Sequence, residues 1–387
     1  MRDVNESRGG GRRLLVAHPS PDVYGSDRQL LETVTAAVGS GWQVLVALPR
    51  TGPLVAELEA RGARCAVVGS TVLRKSLLTP RGMVRLAART PGELGRLAAL
   101  VRSCRADAVL VNTVTLPWWA PAARLAGVPC VVHVHEAEAT QPRLLRRVMN
   151  APLLTADVVV TNSRAARDVL LDAVLALADR TRVVLNGVEG PGQVTAPRGR
   201  TAADPLRVAL VARLSPRKGV DVALEALALV RNAGTHAQLT VCGSVFPGYE
   251  WYEEQLRERA SRTDLAGSVE LAGYVHPTWP VLQDSDVVLV PSRVEPFGNT
   301  AAEALLARRP VVASRVQGLA EVVQDGRTGL LVPPDDPRAL ADAVLRLATD
   351  PSLAARLATT GRADAAERFS VERYRRDMAQ VLTGLVA

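Results

Sequence analysis

The sequence predicts an α/β protein built from two parallel β-sheets that follow one another along the chain. Short runs of Val, Leu and Ala alternate with amphipathic stretches almost throughout, which is typical of strand–helix–strand units. The runs are continuously apolar, so both faces of each strand must be covered, as in a parallel sheet. A polar segment rich in Gly and Pro interrupts this pattern after residue 185, and the pattern then restarts.

Each half of the chain is therefore expected to form one domain. The interruption begins at Asn186-Gly187-Val188 and continues to about Pro205, which gives predicted domains of residues 1–190 and 191–369. A final amphipathic helix is predicted over the stretch Phe369–Val386, that is, at about residues 370–387. The predicted strands are Leu14–Ala17, Val44–Leu48, Ala66–Val68, Ala108–Val111, Val131–Val134, Val158–Val160, Val208–Val211, Leu239–Cys242, Val287–Val290, Val311–Ala313 and Leu330–Val332.

Composition places the chain among ordinary globular proteins. Its 387 residues, 48% apolar and 22% charged, suffice for two domains with sizeable cores. Residues 1–13 are polar and Gly-rich, and no apolar run is long enough to span a bilayer, so we expect a cytoplasmic protein. The four cysteines are scattered without a C-x-x-C pair, which indicates reduced thiols and not a disulfide or zinc framework.

The net charge of +8 is concentrated in the first half. Residues 1–190 contain 24 Lys and Arg against 16 Asp and Glu, whereas residues 191–387 contain 23 of each. Two interpretations remain open for the basic stretch 74–105: a solvated helix face, or peripheral contact with an anionic membrane or a lipid-linked acceptor. Nucleic acid is disfavoured, because aromatic residues make up only 3% of the chain. The bases of this stretch are Arg74, Lys75, Arg81, Arg85, Arg89, Arg96, Arg102 and Arg105.

The most informative segment places two carboxylates, Glu295 and Glu303, around a turn and a helix start. A predicted strand ends just before Glu295, so this residue lies on a loop at the mouth of the second sheet. Gly298, Asn299 and Thr300 lie where the helix begins, and free backbone N–H groups at such a position suit a diphosphate. Glu303 lies about one turn into the helix, where its carboxylate could accept two hydrogen bonds from a ribose. The segment therefore predicts a nucleotide-sugar site.

Two cations follow the first strand of the second half, at Arg213 and Lys218. Negative charge grows on a diphosphate when it leaves a sugar, and fixed cations stabilise it. A cation at a helix start opposes the helix dipole, so a purely structural role would be an unfavourable placement. Lys218 is one of only two lysines in the chain, and Arg217 is expected to face solvent.

The segment from Glu295 to Glu303 resembles the E-x7-E motif of retaining glycosyltransferases of the GT-B fold, family 4 (glycosyltransferase group 1), and the resemblance extends over nearly the whole chain. It implies two Rossmann-like domains that face each other across a cleft. The N-terminal domain would bind the acceptor and the C-terminal domain the donor, with the final helix crossing back to the N-terminal domain. Arg213 and Lys218 match the residues that hold the donor phosphates. The loop from Phe297 to Thr300 is expected to contact the donor.

The resemblance also implies site residues in the first half. His135 ends a predicted strand, where relatives have an H-E or H-D pair whose His contacts the donor sugar or the acceptor. Gly25-Ser26 stands where many relatives have two adjacent glycines against the diphosphate. Asp27 has an alternative role as a helix cap, and His133 is expected to be a buried, hydrogen-bonded His.

The predicted function is transfer of a sugar from a UDP- or GDP-sugar to a hydroxyl acceptor (a glycan, a lipid-linked compound or a small molecule) with retention of configuration. Asp284-Ser285-Asp286 spells the D-x-D metal motif, but it precedes a strand and is expected to be a helix end, so neither metal nor another cofactor is predicted. Two alternatives remain: a nucleotide-sugar epimerase of the same fold, and a non-catalytic nucleotide-sugar-binding protein. A dehydrogenase is disfavoured because no G-x-G-x-x-G follows a strand.

Overall fold

The computed structural model describes residues 11–22, 25–73, 80–137, 139, 141–201, 204–246 and 248–386, with the side chains of residues 80–87 outside this description. The chain divides into two compact units. Unit 1 comprises Met1–Gly187 together with Val371–Ala387, and unit 2 comprises Val188–Ser370.

Unit 1 contains a seven-stranded sheet. Its strands are β1 (Arg13–Ala17), β2 (Gln43–Leu48), β3 (Arg64–Val67), β4 (Ala108–Val111), β5 (Cys130–Val134), β6 (Val158–Thr161) and β7 (Thr181–Val183). All neighbouring strands are parallel, in the order β3-β2-β1-β4-β5-β6-β7. The direction of winding reverses between β1 and β4, as in doubly wound α/β folds, where ligands bind at the carboxyl ends of the strands beside this point.

Helices cover both faces of this sheet. They are α1 (Gly25–Gly39), α2 (Pro53–Ala60), α3 (Pro80–Ser103), α4 (Trp119–Ala126), α5 (Arg143–Asn150), α6 (Arg164–Ala173) and, at the end of the chain, α14 (Val371–Gly384). Ser163 caps α6, because its side chain accepts a hydrogen bond from the backbone N–H of Ala166. The final helix is thus part of unit 1, where α14 packs against α1.

The contact between α1 and α14 fixes the last helix to the rest of unit 1. Tyr374 of α14 is fully buried, and its hydroxyl shares a hydrogen bond of 2.6 Å with the hydroxyl of Thr33 on α1. Gln29 of α1 exchanges two hydrogen bonds with the backbone of Gly187, at 2.7 and 3.1 Å. A side chain at position 187 would collide with Tyr374, since a Cβ atom there would lie 2.6 Å from that of Tyr374.

Unit 2 contains a six-stranded parallel sheet. Its strands are β8 (Leu206–Val211), β9 (Ala237–Cys242), β10 (Val269–Gly273), β11 (Val287–Val290), β12 (Val311–Ser314) and β13 (Leu330–Val332). Their order β10-β9-β8-β11-β12-β13 reverses between β8 and β11. The helices are α7 (Val220–Asn232), α8 (Glu250–Ala260), α9 (Trp279–Asp284), α10 (Asn299–Leu306), α11 (Leu319–Val322), α12 (Pro337–Thr349) and α13 (Pro351–Arg368).

A buried arginine in unit 2 joins the ends of two helices to the segment that precedes β8. Arg309 is 1% exposed, and its guanidinium donates to the carbonyls of Ala307 and Thr195 at 3.1 Å and to the carbonyl of Gln283. These carbonyls belong to the ends of α10 and α9 and to the segment that precedes β8. Burial lowers the pKa of Arg309, while the acidic neighbours Asp286 and Asp284 oppose that shift.

The predicted GT-B-type α/β architecture of two Rossmann-like sheets is confirmed, with two local differences. Strands β7 and β10 are not among those predicted. The helix expected from Gln29 to Val38 begins earlier, at Gly25, so Gly25 and Ser26 belong to its first turn. Within the basic stretch, Pro80–Ser103 forms α3; Arg74 and Lys75 lie outside the described residues, as do the side chains of Arg81 and Arg85. None of the described helices has the length and hydropathy needed to traverse a bilayer.

Candidate functional site

The site predicted in unit 2 lies at the carboxyl ends of β8 and β11, the two strands between which the winding reverses. Lys218 follows β8 through a short 3₁₀ turn, Pro216–Lys218, and Glu295 follows β11 after a four-residue loop. Because parallel strands end at the same edge of a sheet, residues 77 positions apart in sequence meet here.

Lys218 and Glu295 form an ion pair. The Nζ atom of Lys218 donates a hydrogen bond to Oε2 of Glu295, and the hydroxyl of Ser292 lies 3.3 Å from the same oxygen. The side chains are 27% and 13% exposed, so the pair is accessible from one side only. Charge-assisted hydrogen bonds of this kind are stronger than neutral ones, and Glu295 offsets the unfavourable position of a cation near the start of α7.

The pair lines an open pocket at the ends of the two strands. Thr300 lines the same pocket, and its hydroxyl donates to the carbonyl of Val211 at 3.0 Å, which ties the start of α10 to the end of β8. The remaining lining is supplied by the ends of the two strands: Leu210, Val211, Ala212, Leu289, Val290, Pro291 and Ser292. Lys218, Glu295 and Thr300 are therefore the predicted residues that the structure brings together in one pocket.

Arg293 holds the turn that carries Lys218, a role that no sequence pattern indicates. Its guanidinium donates two hydrogen bonds to Asp221, at 2.7 and 3.0 Å, one to the carbonyl of Pro216 and one to Asp335 at 2.5 Å. The hydrogen bonds to Asp221 raise the pKa of Arg293. Burial favours the neutral form of Asp221, but Arg293 and the Tyr252 hydroxyl hold the pKa of that carboxyl below its usual range.

The backbone of Glu295 is fixed from the segment between β12 and α11. Its N–H donates to Oε1 of Gln317 at 3.0 Å, and its carbonyl accepts from the N–H of Gly318 at 3.0 Å. A side chain at position 318 would lie 2.3 Å from the carbonyl oxygen of Pro296, so only glycine allows this close approach. Gln317 itself has φ 34°, a value that is uncommon for a residue with a side chain.

The helix start predicted for a diphosphate is present. Gly298 precedes α10 with φ 113°, and a Cβ atom there would lie 2.6 Å from Leu319. Asn299 opens the helix and Glu303 lies one turn further in, both half-buried. The α10 amides and the Glu303 carboxylate thus occupy the positions that the sequence predicts.

Two predicted donor-binding residues differ from expectation in their surroundings. Phe297 is 2% exposed and packs edge-on against Phe369, with ring centres 5.4 Å apart, so its side chain belongs to the core and only its backbone is left for a ligand. Arg213 is half-buried with its guanidinium carbon 3.3 Å from the centre of the Phe246 ring, a cation–π arrangement, and it does not line the Lys218 pocket. Arg217 is exposed, as predicted.

The D-x-D segment is occupied by ion pairs. Asp286 accepts from Arg198 at 2.8 Å and from the backbone N–H of Arg207 at 2.8 Å, and Asp284, the last residue of α9, pairs with the side chain of Arg207. The interpretation of this segment as a helix end is confirmed. Within the described ranges, no three His, Cys, Asp or Glu residues are grouped as metal ligands.

The residues predicted in the first half lie at the carboxyl edge of the unit 1 sheet. His135 directly follows β5, and the neighbouring Glu136 accepts a hydrogen bond from Thr113 at 2.6 Å. Burial raises the pKa of Glu136, and the hydrogen bonds from Thr113 and from backbone amides oppose that shift. Gly25 is exposed and Ser26 half-buried at the start of α1.

His133 and His135 lie on the same side of β5, as strand alternation predicts, with ring centres 4.0 Å apart. His133 is fully buried as expected, but the expectation of a hydrogen bond is wrong: neither ring nitrogen has a partner among the described residues. Its neighbours are the rings of His135 and Tyr374, which offer mainly apolar surface on the faces that contact it.

Comparison with known proteins gives consistent matches in both halves of the chain. A family profile described as glycosyltransferase family 4 matches residues 23–189, and one described as glycosyl transferases group 1 matches residues 205–350. The D-inositol 3-phosphate glycosyltransferase of Acidothermus cellulolyticus is 36% identical over 254 residues, 60% of this chain and 56% of the relative. The match thus spans little more than half the length of that relative.

Two further proteins match over more of their own length. The alpha-maltose-1-phosphate synthase of Mycolicibacterium smegmatis is 33% identical over 282 residues, 64% of this chain and 71% of the relative. Among solved structures, Anabaena HepE in complex with UDP and glucose superposes with a TM-score of 0.79 at 24% identity, over 96% of this chain and 99% of that one. The structural match shows a shared fold.

Proposed function

This chain belongs to the family 4 (group 1) glycosyltransferases, and we propose from this premise that it transfers a sugar from a nucleoside diphosphate sugar to a hydroxyl acceptor. The observation that carries the proposal is the pocket at the ends of β8 and β11, where Lys218, Glu295 and Thr300 meet beside the start of α10. A cation for a diphosphate, a carboxylate for sugar hydroxyls and helix amides for phosphate oxygens are the groups that this reaction requires.

The leaving diphosphate would be stabilised by Lys218 together with the backbone N–H groups of α10. Negative charge develops on the diphosphate as its bond to the sugar breaks, so an interaction that strengthens at that moment accelerates the chemical step. Arg213, whose guanidinium lies over the ring of Phe246, is proposed to assist. Glu303, one turn into α10, is proposed to bind the ribose hydroxyls.

We infer that the reaction retains the configuration of the sugar. The acceptor oxygen would form its bond to the anomeric carbon on the same face from which the diphosphate leaves. The acceptor proton would pass to an oxygen of the departing diphosphate, so no separate protein base is required. Glu295 would align the sugar through its hydroxyl groups, and the roles predicted for Gly25, Ser26 and His135 remain part of this proposal.

The donor is proposed to be a UDP- or GDP-sugar. A thermal-shift screen against UDP-, GDP- and dTDP-sugars tests this, because a ligand that binds only the folded state raises the melting temperature. HepE was solved with UDP and with UDP-glucose, so these are the first compounds to test. Lys218→Ala should abolish the shift, whereas Arg262→Ala, which removes an exposed i,i+4 ion pair with Glu258, should leave it unchanged.

Turnover distinguishes transfer from the alternatives. With a donor that binds, a panel of hydroxyl acceptors should give a glycosylated product whose anomeric configuration matches that of the donor. An epimerase would convert the donor without any acceptor, and a non-catalytic binding protein would do neither. The proposed metal-independent mechanism predicts that the rate survives EDTA; loss of turnover on chelation, with recovery on adding Mn²⁺ or Mg²⁺, would contradict that part.

A further inference from the structure

Four polar side chains of unit 1 meet where its sheet changes winding direction. His18 directly follows β1, Asn112 directly follows β4, His135 directly follows β5, and Asp27 lies in the first turn of α1. His18, Asp27 and Asn112 are between 1% and 3% exposed. Buried polar groups at the carboxyl edge of a doubly wound sheet stand where such folds bind ligands.

These four side chains form one continuous series of hydrogen bonds, here called the buried relay. Nε2 of His18 lies 2.8 Å from Oδ1 of Asp27, and Nδ1 of His18 lies 3.1 Å from the amide nitrogen of Asn112. The amide oxygen of Asn112 lies 3.0 Å from Nε2 of His135. Every link has the length of a normal hydrogen bond.

The direction of the relay follows from Asn112, whose NH₂ group faces Nδ1 of His18 and whose carbonyl oxygen faces Nε2 of His135. An amide NH₂ group only donates and an amide oxygen only accepts hydrogen bonds. Nδ1 of His18 therefore accepts, and Nε2 of His18 donates to Asp27. Nε2 of His135 is consequently the donor, and the lone pair of this ring lies on Nδ1.

In this arrangement His135 donates one hydrogen bond from Nε2 and can accept another at Nδ1. Burial lowers the pKa of His135 to about 3, so the ring is neutral at neutral pH. The residue as a whole is only half-buried, and within the described part of the chain Nδ1 is neither enclosed nor bonded to a protein atom.

We propose that Asp27, His18 and Asn112 are positioning residues that hold His135 in its Nε2–H tautomer, so that Nδ1 accepts a hydrogen bond from a substrate hydroxyl. The inference rests on the proposed function for the source of that hydroxyl, which belongs to the donor sugar or to the acceptor. Fixing a tautomer through a second side chain is the role that an aspartate performs beside a catalytic histidine in hydrolases.

The tautomer is directly measurable by NMR on the full chain labelled with ¹⁵N-histidine, with His135 assigned from the signals lost in His135→Gln. The parent should show a protonated Nε2 and an unprotonated Nδ1. Asn112→Leu removes the oxygen that faces His135 and should give a mixture of tautomers. Asn112→Asp keeps an oxygen there and should retain the parent tautomer. Asp27→Asn removes the carboxylate that accepts from Nε2 of His18 and should also give a mixture.

Thr33→Val is the matched control, because it removes a buried hydroxyl from the same helix as Asp27 without touching the relay. It should leave the His135 signals unchanged. An unchanged tautomer in both Asn112→Leu and Asp27→Asn, or an equal change in Thr33→Val, would overturn the proposal. Should Asp27→Asn fail to fold, the comparison of Asn112→Leu with Asn112→Asp still decides the question; should Asn112→Leu fail to fold, Asp27→Asn decides it.

Ligand additions identify the hydroxyl. A Nδ1 signal that moves with UDP-glucose but not with UDP assigns it to the donor sugar, and one that moves with glucose alone assigns it to an acceptor. If the Nδ1 signal moves neither with glucose nor with any nucleotide sugar that binds, Nδ1 of His135 does not accept a hydrogen bond from a substrate hydroxyl, and the proposal is refuted. In transfer assays, Asn112→Leu should lower kcat/KM by about tenfold or more, and Asn112→Asp should recover part of that loss.

The readouts separate this inference from the proposed function. The tautomer is recorded without substrate, so a chain that transfers no sugar could still show the dependence on Asp27 and Asn112; that result would reject only the enzymatic proposal. If the protein transfers sugar normally while His135 is a mixture of tautomers, only the proposal for the buried relay is rejected.

Discussion

The ammonium group of Lys218 is hydrogen-bonded to the carboxylate of Glu295. Both side chains are mostly shielded, so their attraction is weakened by water less than that of an exposed pair. A donor diphosphate would therefore have to draw Lys218 toward itself in competition with Glu295. The two residues act as one unit, and their substitutions should not be independent.

A double-mutant cycle tests this coupling. Lys218→Ala should lower kcat/KM for transfer about 100-fold, corresponding to roughly 3 kcal/mol of lost transition-state stabilisation. Adding Glu295→Gln to Lys218→Ala should cost much less than Glu295→Gln costs in the parent, because neighbours in one network are non-additive. Steady-state kinetics of the four proteins provide the measurement. Strictly additive losses, or a Lys218→Ala rate within a few-fold of the parent, would contradict the assignment.

Glu295 and Glu303 should differ in what they bind. Glu303→Gln should raise the donor KM more than it lowers kcat, since a ribose contact serves the ground state and the transition state alike. Glu295→Gln should lower kcat while leaving the affinity for bare UDP or GDP unchanged or higher, because it releases Lys218 to the phosphates. Calorimetry with the nucleotide alone separates the two. A weakening of nucleotide binding in Glu295→Gln as large as in Glu303→Gln would refute the division.

Arg293 should act on the reaction through Lys218. Arg293→Ala removes the hydrogen bonds that fix the Pro216–Lys218 turn, and we expect about a tenfold loss in kcat/KM with normal folding of the sheet. In a Lys218→Ala background the same change should have little further effect. Arg315→Ala, which breaks an exposed ion pair with Asp325 in the same unit, is the matched control and should retain the parent rate. An equal loss in both backgrounds would show that Arg293 acts independently of Lys218.

His133 should make unit 1 sensitive to mild acid. Burial lowers its pKa well below 6.5, with His135 acting in the same direction, whereas in the unfolded chain the ring takes up a proton near pH 6.5. The unfolded state therefore binds more protons, and the free energy of unfolding falls as the pH decreases below about 6.5, by about 1.4 kcal/mol per pH unit for each such histidine.

Between pH 6.5 and pH 5, His133→Leu should reduce the slope of the unfolding free energy against pH by about 1.4 kcal/mol per pH unit, which corresponds to one proton. The carboxylates whose pKa values are lowered contribute mainly at more acidic pH. Glu136, whose pKa is raised, is present in both proteins, so the difference in slope between them reports on His133. Hydrogen exchange of the β5 amides over a urea series measures the stability of unit 1 separately from unit 2. His236→Gln, at an exposed position, is the control. An unchanged slope in His133→Leu would remove His133 as the cause.

Most of the fold was predictable because its strands are covered on both faces. Runs such as Val287–Val290 and Ala108–Val111 are fully buried in the structure and continuously apolar in sequence. β10 escaped prediction because Glu270 and Gly273 interrupt its apolar character, and none of its residues is fully buried. β7 is only three residues long and contains the exposed Arg182. An apolar run in the sequence indicates a buried strand, and most residues of β7 and β10 are not fully buried, so neither strand has such a run.

The candidate site was predictable only where a local motif marks it. Lys218, Glu295 and Thr300 belong to segments with recognisable spacing, and they meet in the pocket. The role of Arg293 depends on Asp221 and Pro216, which are more than 70 positions away in sequence. His18 and Asn112 are likewise 94 positions apart. Side-chain hydrogen bonds over such separations leave no periodic signal, so only three-dimensional coordinates identify these partners.

The assignment of α14 to unit 1 determines the order in which the chain can acquire its structure during synthesis. Tyr374, Met378 and Leu382 are fully buried in the same core as Leu30 and Val34, yet they leave the ribosome after the whole of unit 2. Unit 2 is continuous in sequence and can complete its core while the C-terminal helix is still untranslated. Most of unit 1 is translated first, but the side of its core that contacts α14 stays uncovered until α14 has been synthesised. A truncation before residue 371 would therefore damage the N-terminal unit, which is the one more distant in sequence from the cut.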